Sequence, residues 1–200
     1  MQAIQRRYYT PEEYLALEEA ADYKSEYIDG EIIPMAGGTV NHNRITGNIY
    51  AALNFAFKQQ DYEVFMSDIR LWIPEKRMYT YPDVMIISGK PEFFNNRQDV
   101  VLNPRVIIEV LSKSTQDYDR EDKFQAYRTI STFQEYLHID QTQIRVEQYF
   151  KTGKKQWSLR EYDAEDQAIA FNTVPWEISL ADLYNKVKFE LVESNVTESS

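Results

Sequence analysis

The chain has 200 residues, of which 43% are hydrophobic, so it is long enough and apolar enough to bury the core of one ordinary domain. It contains no cysteine, which excludes disulfides, thiolate metal sites and cysteine nucleophiles and is consistent with a reducing cytoplasm. The formal net charge of -10 repels nucleic acid overall, although acidic residues gathered at a metal site would still leave room for a local basic groove.

The N-terminus contains no apolar segment of the kind found in signal peptides, and no apolar run approaches the ~20 residues that a membrane span needs. We therefore expect a cytoplasmic protein with no membrane partner. Tyrosine, a residue type common at interfaces, occurs 15 times, which leaves a homodimer open.

The first predicted helix has a clear start signal. Thr10 is a good N-cap, Pro11 stands where a missing N–H costs nothing, and Glu13 completes a capping box. This pattern predicts a helix over about residues 11 to 21.

The remaining elements follow from apolar periodicity and turn residues. In chain order they are a hairpin with strands at about 25–29 and 31–36 around Asp29-Gly30, a helix with apolar residues from Ile45 to Phe57, one bent strand or two in YEVFMSDIRLWIP, strands in PDVMII and RVIIEVL, a helix over about 118–130 capped by Asp117 or Asp119, strands in EYLHID, QIRVEQYFK and QWSLREYD, and a short helix capped by Ser179. The pattern has no repeat and no linker, so it predicts one α/β domain with a mixed sheet over residues 1–190. Residues 191–200 are polar and are expected to form a disordered tail.

Three acidic residues are distinguished by their apolar surroundings. Glu109 lies inside the apolar run of PRVIIEVLSKST, Asp83 opens a strand in YPDVMII, and Glu26 lies in YKSEYIDGEI after the first helix. A buried carboxylate must be protonated, ion-paired or bound to a metal, because burying it alone is costly. Two such groups on neighbouring strand ends suit Mg²⁺, which takes one or two carboxylates and keeps most of its waters.

Each of these residues also has a purely structural interpretation. Asp83 after a proline is compatible with turn chemistry, Glu109 with an ion pair to Arg or Lys, and Glu26 with an exposed position. The pattern of the three carboxylates does not by itself decide between a site and a set of structural residues.

Two lysines are placed to complete a site. Lys113 shares a strand face with Glu109 if the strand stays regular. Lys123 borders the packed side of the following helix, and its structural alternative is a snorkelling side chain or a partner for Asp119.

Four features occur together in the order found in one nuclease superfamily. Glu26, Pro82-Asp83, Glu109-Val110 and Lys123 resemble the PD-(D/E)xK signature. More narrowly, the segments YKSEYIDGEI, YPDVMII, RVIIEVLSKST, DREDKFQAY and QEYLHID resemble those of the Uma-type endonucleases, over about residues 10–187. The resemblance implies a restriction-endonuclease-like core, in which a central mixed β-sheet with additional antiparallel strands is flanked by α-helices and strand carboxylates hold a divalent metal ion.

The chain departs from the superfamily at the lysine. The lysine expected two residues after Glu109 is replaced by Leu111. In the narrower family this lysine lies on the following helix, which matches Lys123, and Lys113 is the alternative. A displaced lysine can serve only if its ammonium reaches the same space.

The resemblance implies a role for each candidate residue. Asp83 and Glu109, with the carbonyl of Val110, would bind Mg²⁺ or Mn²⁺. Lys123 would hold the attacking water or contact the scissile phosphate, and Glu26 would orient this lysine or a metal-bound water. Further candidates for substrate contact, independent of the resemblance, are Lys113, Tyr127 and His42. His42 stands near a predicted helix start, and its structural alternative is a cap-region or surface residue.

The predicted function is a metal-dependent endonuclease that hydrolyses phosphodiester bonds, with DNA as its nucleic-acid partner. The alternative is a catalytically inactive protein of nuclease fold with a binding or assembly role, which the net charge of -10 and the displaced lysine favour. A basic cluster around the carboxylates would favour DNA, and its candidates are Arg70, Lys76, Arg77, Arg105 and Lys113.

Overall fold

Two β-sheets, of six and five strands, form the framework of the fold. The structure is a computed structural model and describes residues 7–111 and 122–189. The helices are α1 (Pro11–Ala20), α2 (Val40–Ala56), α3 (Phe124–Tyr127) and α4 (Leu180–Leu183). The strands are β1 (Ser25–Ile28), β2 (Glu31–Pro34), β3 (Tyr62–Met66), β4 (Arg70–Ile73), β5 (Met78–Thr80), β6 (Val84–Ser88), β7 (Val100–Val101), β8 (Val106–Leu111), β9 (Glu135–Asp140), β10 (Val146–Gly153), β11 (Gln156–Tyr162), β12 (Ala168–Ala170) and β13 (Glu177–Ser179).

The larger sheet is mixed. Its strand order is β11-β10-β9-β8-β6-β3, with β8 and β9 parallel and the other neighbours antiparallel. The second sheet has the order β2-β1-β5-β4-β7, in which β4 and β7 are parallel, and β12 pairs with β13 separately. This arrangement of mixed sheets with helices confirms the predicted fold class.

Side-chain alternation along the strands divides the core into layers. Ile108 on β8 belongs to a buried cluster with Ile49 of α2, so α2 covers one face of the six-stranded sheet. Ile107, on the opposite face, belongs to a cluster with Leu71 of β4 and Tyr127 of α3. The space between the two sheets is therefore apolar, and any charged group placed there needs a protein partner.

An aromatic layer lies beyond the five-stranded sheet, under α1. Tyr14 of α1 and Tyr79 of β5 are fully buried, and their ring centroids are 5.2 Å apart. The Tyr14 hydroxyl donates to the Ser25 carbonyl at 2.6 Å, whereas the Tyr79 hydroxyl has no hydrogen-bond partner in the described part of the chain. Burial raises the pKa of Tyr79 to about 12.

A cluster of ion pairs closes one edge of this layer. Arg70 pairs with Asp99, and Arg97 lies 3.0 Å from Asp99 and 2.7 Å from Glu19. Burial alone would raise the pKa of Asp99, but the hydrogen bond from Arg97 and the charges of both arginines outweigh it and lower that pKa.

A second buried carboxylate, Glu135 at the start of β9, holds the turn that precedes β13. It is fully buried. Its oxygens accept the side-chain N–H of Gln148 at 2.6 Å, the N–H of Asn172 at 3.0 Å, and the N–H and hydroxyl of Thr173 at 2.9 and 2.7 Å. These donors replace the water that an ionised carboxylate would otherwise need, so Glu135 is a structural residue.

The locally encoded elements agree closely with the sequence predictions. Helix α1 begins at Pro11 and has both hydrogen bonds of the capping box between Thr10 and Glu13. Ser179 caps α4, and the segment predicted as one bent strand or two forms two strands, β3 and β4. The short strands β5, β7, β12 and β13 were not predicted, because two or three residues carry no readable periodicity.

The helix predicted over about 118–130 is described only in part. From residue 122 onward its α-helical bounds are those of α3. Residues 112–121, which include Lys113 and both proposed caps, Asp117 and Asp119, lie outside the described residues, as does the predicted tail at 191–200. None of the helices in the described ranges combines the length and hydropathy that a transmembrane helix requires.

Candidate active site

Glu109 faces the interior between the two sheets. It shares its strand face with Ile107, whose cluster joins the six-stranded sheet to the five-stranded sheet. Its side chain is 4% exposed, so its carboxylate relies on protein partners in place of water.

Asp83 and Glu109 are joined by the backbone at the end of β8. Strand β6 pairs with β8 through Val84 and Ile108, and continuing this register places Asp83 opposite Glu109. The Asp83 N–H donates to Glu109 Oε2 at 3.2 Å, and the Val110 N–H donates to Asp83 Oδ2 at 2.8 Å. Asp83 and Glu109, which were predicted to share a site, are therefore hydrogen-bonded neighbours in the β6–β8 register.

Lys123 connects Glu109 to the other sheet. Its Nζ lies 3.1 Å from Glu26 Oε1 and 3.4 Å from Glu109 Oε1. Glu26 belongs to β1 of the five-stranded sheet and Glu109 to β8 of the six-stranded sheet, so the ammonium bridges the two sheets. All three side chains are at most 8% exposed, so within the described residues Lys123, Glu26 and Glu109 form a buried charged cluster.

Two hydroxyl groups also donate hydrogen bonds to the two glutamates. Tyr127, which is fully buried one turn after Lys123, donates to Glu109 Oε1 at 2.8 Å. The hydroxyl of Thr80 on β5 donates to Glu26 Oε1. Because each carboxylate accepts from a neutral donor as well as from the ammonium, its orientation is fixed from two directions.

The site opens to solvent on the side of Asp83. The Asp83 side chain is 16% exposed and that of His42 is 22% exposed, in contrast to the three buried side chains of the cluster around Lys123. His42 Nε2 lies 3.1 Å from Asp83 Oδ2. A ligand from solvent therefore reaches the Asp83 end of the site first.

The backbone of β8 offers a carbonyl at the same end. The Val110 N–H bonds to Asp83, so this residue faces the β6 side of the strand, and its carbonyl faces the same way. Continuing the β6–β8 register places Pro82 opposite Val110. Because proline has no N–H, the Val110 carbonyl receives no ladder hydrogen bond from that position and can serve another ligand.

The structure thus brings most of the predicted site residues together. Glu26, Asp83, Glu109, Lys123 and Tyr127 are linked by hydrogen bonds or ion pairs, and His42 joins them through Asp83. Lys113 lies outside the described residues. Thr80 was not predicted. The sequence signal that could have identified it is a polar β-branched residue in the apolar stretch before Pro82-Asp83.

The arginines that were considered as a basic rim are engaged elsewhere. Arg70 pairs with Asp99, and Arg77 lies 3.3 Å from Asp29. Arg105, which precedes β8 at the end opposite the site, donates from Nε to the Thr173 carbonyl at 2.8 Å. These three residues supply no basic cluster around the carboxylates.

Comparison with known proteins gives this site a family context. A family model described as "Uma2: Putative restriction endonuclease" matches residues 11–182. The chain belongs to the Uma2 family. The matched range contains Glu26, Asp83, Glu109 and Lys123, so all four residues lie in the part of the chain that defines membership.

Two relatives of this Uma2 chain come from Synechocystis sp. (strain ATCC 27184 / PCC 6803 / Kazusa). "Uncharacterized protein sll1609" is 50% identical over 163 residues, which cover 82% of this chain and 92% of that protein. "Uncharacterized protein slr1290" is 33% identical over 158 residues, which cover 79% of this chain and 82% of that protein. The similarity therefore extends over most of each protein.

A solved structure shares the fold of this Uma2 chain. It is the crystal structure of "a putative nuclease belonging to DUF820" from Anabaena variabilis ATCC 29413, with a TM-score of 0.72 and 22% sequence identity. The match covers 88% of this chain and 97% of that one. Together with the family membership, this match shows that the chain has the same fold as that protein.

The oxygen donors of Asp83, of its buried neighbour Glu109 and of Val110 are of the type that a hard divalent cation takes. Asp83 and Glu109 offer carboxylate oxygens, and Val110 offers a carbonyl. Within residues 7–111 and 122–189, no group of three or more His, Asp or Glu side chains is arranged to hold a metal. Two carboxylates and a carbonyl are compatible with Mg²⁺ or Mn²⁺, because Mg²⁺ retains several waters and needs few protein ligands.

Proposed function

We propose that this chain is a metal-dependent endonuclease that hydrolyses phosphodiester bonds in DNA. The observation that carries the proposal is the hydrogen-bonded pair of Asp83 and Glu109 with the Lys123 ammonium at 3.4 Å from Glu109 Oε1. Membership of a family described as restriction endonucleases supports it. A divalent cation needs anionic oxygen ligands, and phosphate hydrolysis needs a positively charged hydrogen-bond donor. The two carboxylates supply the first and the lysine ammonium supplies the second.

In this proposal Asp83, Glu109 and the Val110 carbonyl would hold Mg²⁺ or Mn²⁺. When bound, such a cation would neutralise charge at the phosphate and make a water molecule more acidic. Val110 contributes by its N–H as well, since the bond to Asp83 Oδ2 at 2.8 Å keeps the aspartate at the end of the strand.

Lys123 is the positively charged hydrogen-bond donor in the proposed reaction. A water oxygen forms a bond to phosphorus, the bond from phosphorus to one ester oxygen breaks, and a proton moves to the departing oxygen. Lys123 holds the attacking water or contacts the scissile phosphate as a point charge. Glu26, 3.1 Å from its Nζ, orients the ammonium, and Tyr127 keeps Glu109 in place.

The test is a cleavage assay on single- and double-stranded DNA and on RNA, with Mg²⁺ or Mn²⁺. We expect DNA cleavage by the native chain and a loss of at least about 100-fold in Asp83→Asn and in Lys123→Gln, the scale of one essential electrostatic contact. The matched controls are Asp61→Asn and Lys155→Gln, which change the same residue types at exposed positions. Cleavage that survives both site variants, or that acts on RNA alone, contradicts the proposal.

A second candidate is a nuclease-fold protein that binds or assembles without turnover. The pairing of Arg70 with Asp99 and of Arg77 with Asp29, together with the net charge of -10, favours it. It predicts Mn²⁺ binding by calorimetry without cleavage of any nucleic acid.

A homodimer and a cytoplasmic location remain predictions from the sequence. Two copies of the site would suit a cut through both DNA strands, which is an argument by analogy. Light scattering of the purified chain measures its mass in solution and tests the dimer directly.

A further inference from the structure

We infer that His42 is a positioning residue for Asp83, and that its imidazole sets how tightly the site binds a divalent cation. This inference rests on the proposed function. It differs from the expectation that His42 contacts substrate, because the ring acts through the aspartate and not on the nucleic acid.

The hydrogen bonding of Asp83 is one-sided. Both of the carboxylate's hydrogen bonds within the described residues are to Oδ2: His42 Nε2 lies 3.1 Å from this oxygen, and the Val110 N–H donates to it at 2.8 Å. A carboxylate that binds a metal is deprotonated and only accepts hydrogen bonds, so in this role it takes its bond from an Nε2–H of His42. Oδ1 takes part in neither bond, so it is the oxygen that we assign to the cation. A carboxylate held in this way presents one defined oxygen without having to be ordered by the metal.

The imidazole is itself attached to a rigid element. Thr39 is the N-cap of α2, and its hydroxyl accepts the His42 N–H at 3.1 Å, which places His42 in the first turn. Helix α2 has 17 residues and is anchored through buried Ile45 and Ile49. The position of the ring therefore follows the position of the helix start.

Gly38 provides the space in which the ring lies. A Cβ atom built at Gly38 would lie 3.1 Å from His42 Nδ1 and 3.4 Å from its Cγ, closer than the ring tolerates without moving. The neighbouring Gly37 differs, because a Cβ there would meet nothing within 4 Å. Gly38→Ala therefore displaces the imidazole without removing it, and Gly37→Ala is its matched control.

The experiment measures Mn²⁺ affinity by titration calorimetry on the full chain, with cleavage kinetics as a second readout. We expect His42→Leu to weaken Mn²⁺ binding by about 10- to 100-fold, the usual effect of removing a group that orients a metal ligand. His42→Gln should restore most of the affinity, because its amide N–H donates from near the Nε2 position. Gly38→Ala should fall between, and Gly37→Ala should match the native chain. At saturating Mn²⁺, the KM for nucleic acid should stay unchanged in all variants.

The outcomes separate this inference from the function on which it rests. If the native chain binds Mn²⁺ and His42→Leu binds it equally well, the positioning role is wrong and the proposed function stands. A rise in KM without loss of Mn²⁺ affinity also overturns it, in favour of substrate contact. If the native chain binds no Mn²⁺, the proposed function fails and the inference fails with it. Should His42→Leu not fold, His42→Gln and Gly38→Ala still decide.

Discussion

Replacing Lys123 by Met removes the ammonium that lies between Glu26 and Glu109. Methionine is similar in length and fills the same space, so the change acts mainly on charge. Thr80 and Tyr127 continue to donate to the two carboxylates. The variant therefore leaves two buried anions with neutral donors and without the ammonium.

The distances give the size of the effect. Both glutamate oxygens lie within 3.4 Å of the same nitrogen, so they are less than about 7 Å apart. Two like charges at that separation repel by roughly 2 to 3 kcal/mol at an effective dielectric constant of about 20. Removing one partner of a buried ion pair costs about 3–5 kcal/mol in measured cases. We expect a loss of about 3–5 kcal/mol in the free energy of unfolding, with the charge repulsion as its larger part.

Urea unfolding followed by far-UV circular dichroism measures this loss. With a slope of about 2 kcal/mol per molar urea, the midpoint should fall by roughly 2 M. The double variant Lys123→Met, Glu26→Gln has one buried charge fewer and should recover about 2 kcal/mol. The control is Lys155→Met at an exposed turn position, which should change the midpoint little. If Lys123→Met unfolds at the same urea concentration as this control, the cluster is not the buried, mutually dependent set of charges described above.

Three further predictions concern the scaffold. Tyr79→Phe should be neutral or stabilising by up to about 1 kcal/mol, because the hydroxyl that it removes has no hydrogen-bond partner in the described residues. It should also flatten the loss of stability between pH 10 and about 12, since a phenol with a raised pKa stabilises the fold below its unfolded-state pKa and loses this contribution as pH rises. Tyr14→Phe should instead cost about 1 kcal/mol by removing a hydrogen bond. Glu135→Gln should cost about 3 kcal/mol, because an amide turns one acceptor into a donor that faces other donors, and urea unfolding against the exposed Glu165→Gln measures it. Asp99→Asn should lose less stability than the native chain as pH falls below about 4. A carboxyl with a lowered pKa stabilises the fold at pH values above its unfolded-state pKa and loses this contribution when it is protonated. Urea midpoints at about pH 6 and about pH 3.5 measure the difference.

Each of these predictions has a contradicting result. A destabilised Tyr79→Phe variant means that its hydroxyl does find a partner. Equal midpoints for Glu135→Gln and Glu165→Gln mean that the turn before β13 does not depend on the buried carboxylate. The same acid dependence in Asp99→Asn and in the native chain means that the arginines do not hold this carboxyl ionised.

The sequence indicated the local elements and the candidate carboxylates for physical reasons that act over short distances. A capping box is complete within four residues, so the start of α1 was predicted from Thr10 to Glu13 alone. A carboxylate in an apolar strand is visible in the same way at Glu109. The capping box and the carboxylate in the apolar strand could both be recognised without knowing how the sheets pack.

The rest depended on tertiary packing. Glu135 also stands next to apolar strand residues and is even less exposed than Glu109, yet its partners are N–H groups and a hydroxyl that fix a turn. Glu109 is instead paired with a lysine from one helix and connected to an acid from the other sheet. Thr80 and the contact of His42 with Asp83 were missed for the same reason, because only the docking of sheets and helices brings these groups together.

The bridge formed by Lys123 has a consequence for folding. Glu26 and Glu109 stand on different sheets and are distant in sequence, so neither sheet alone contains the complete site. A partly folded chain in which the sheets have formed but not docked would keep its strands and still lack the cluster. The charged cluster is thus complete only in the fully assembled molecule.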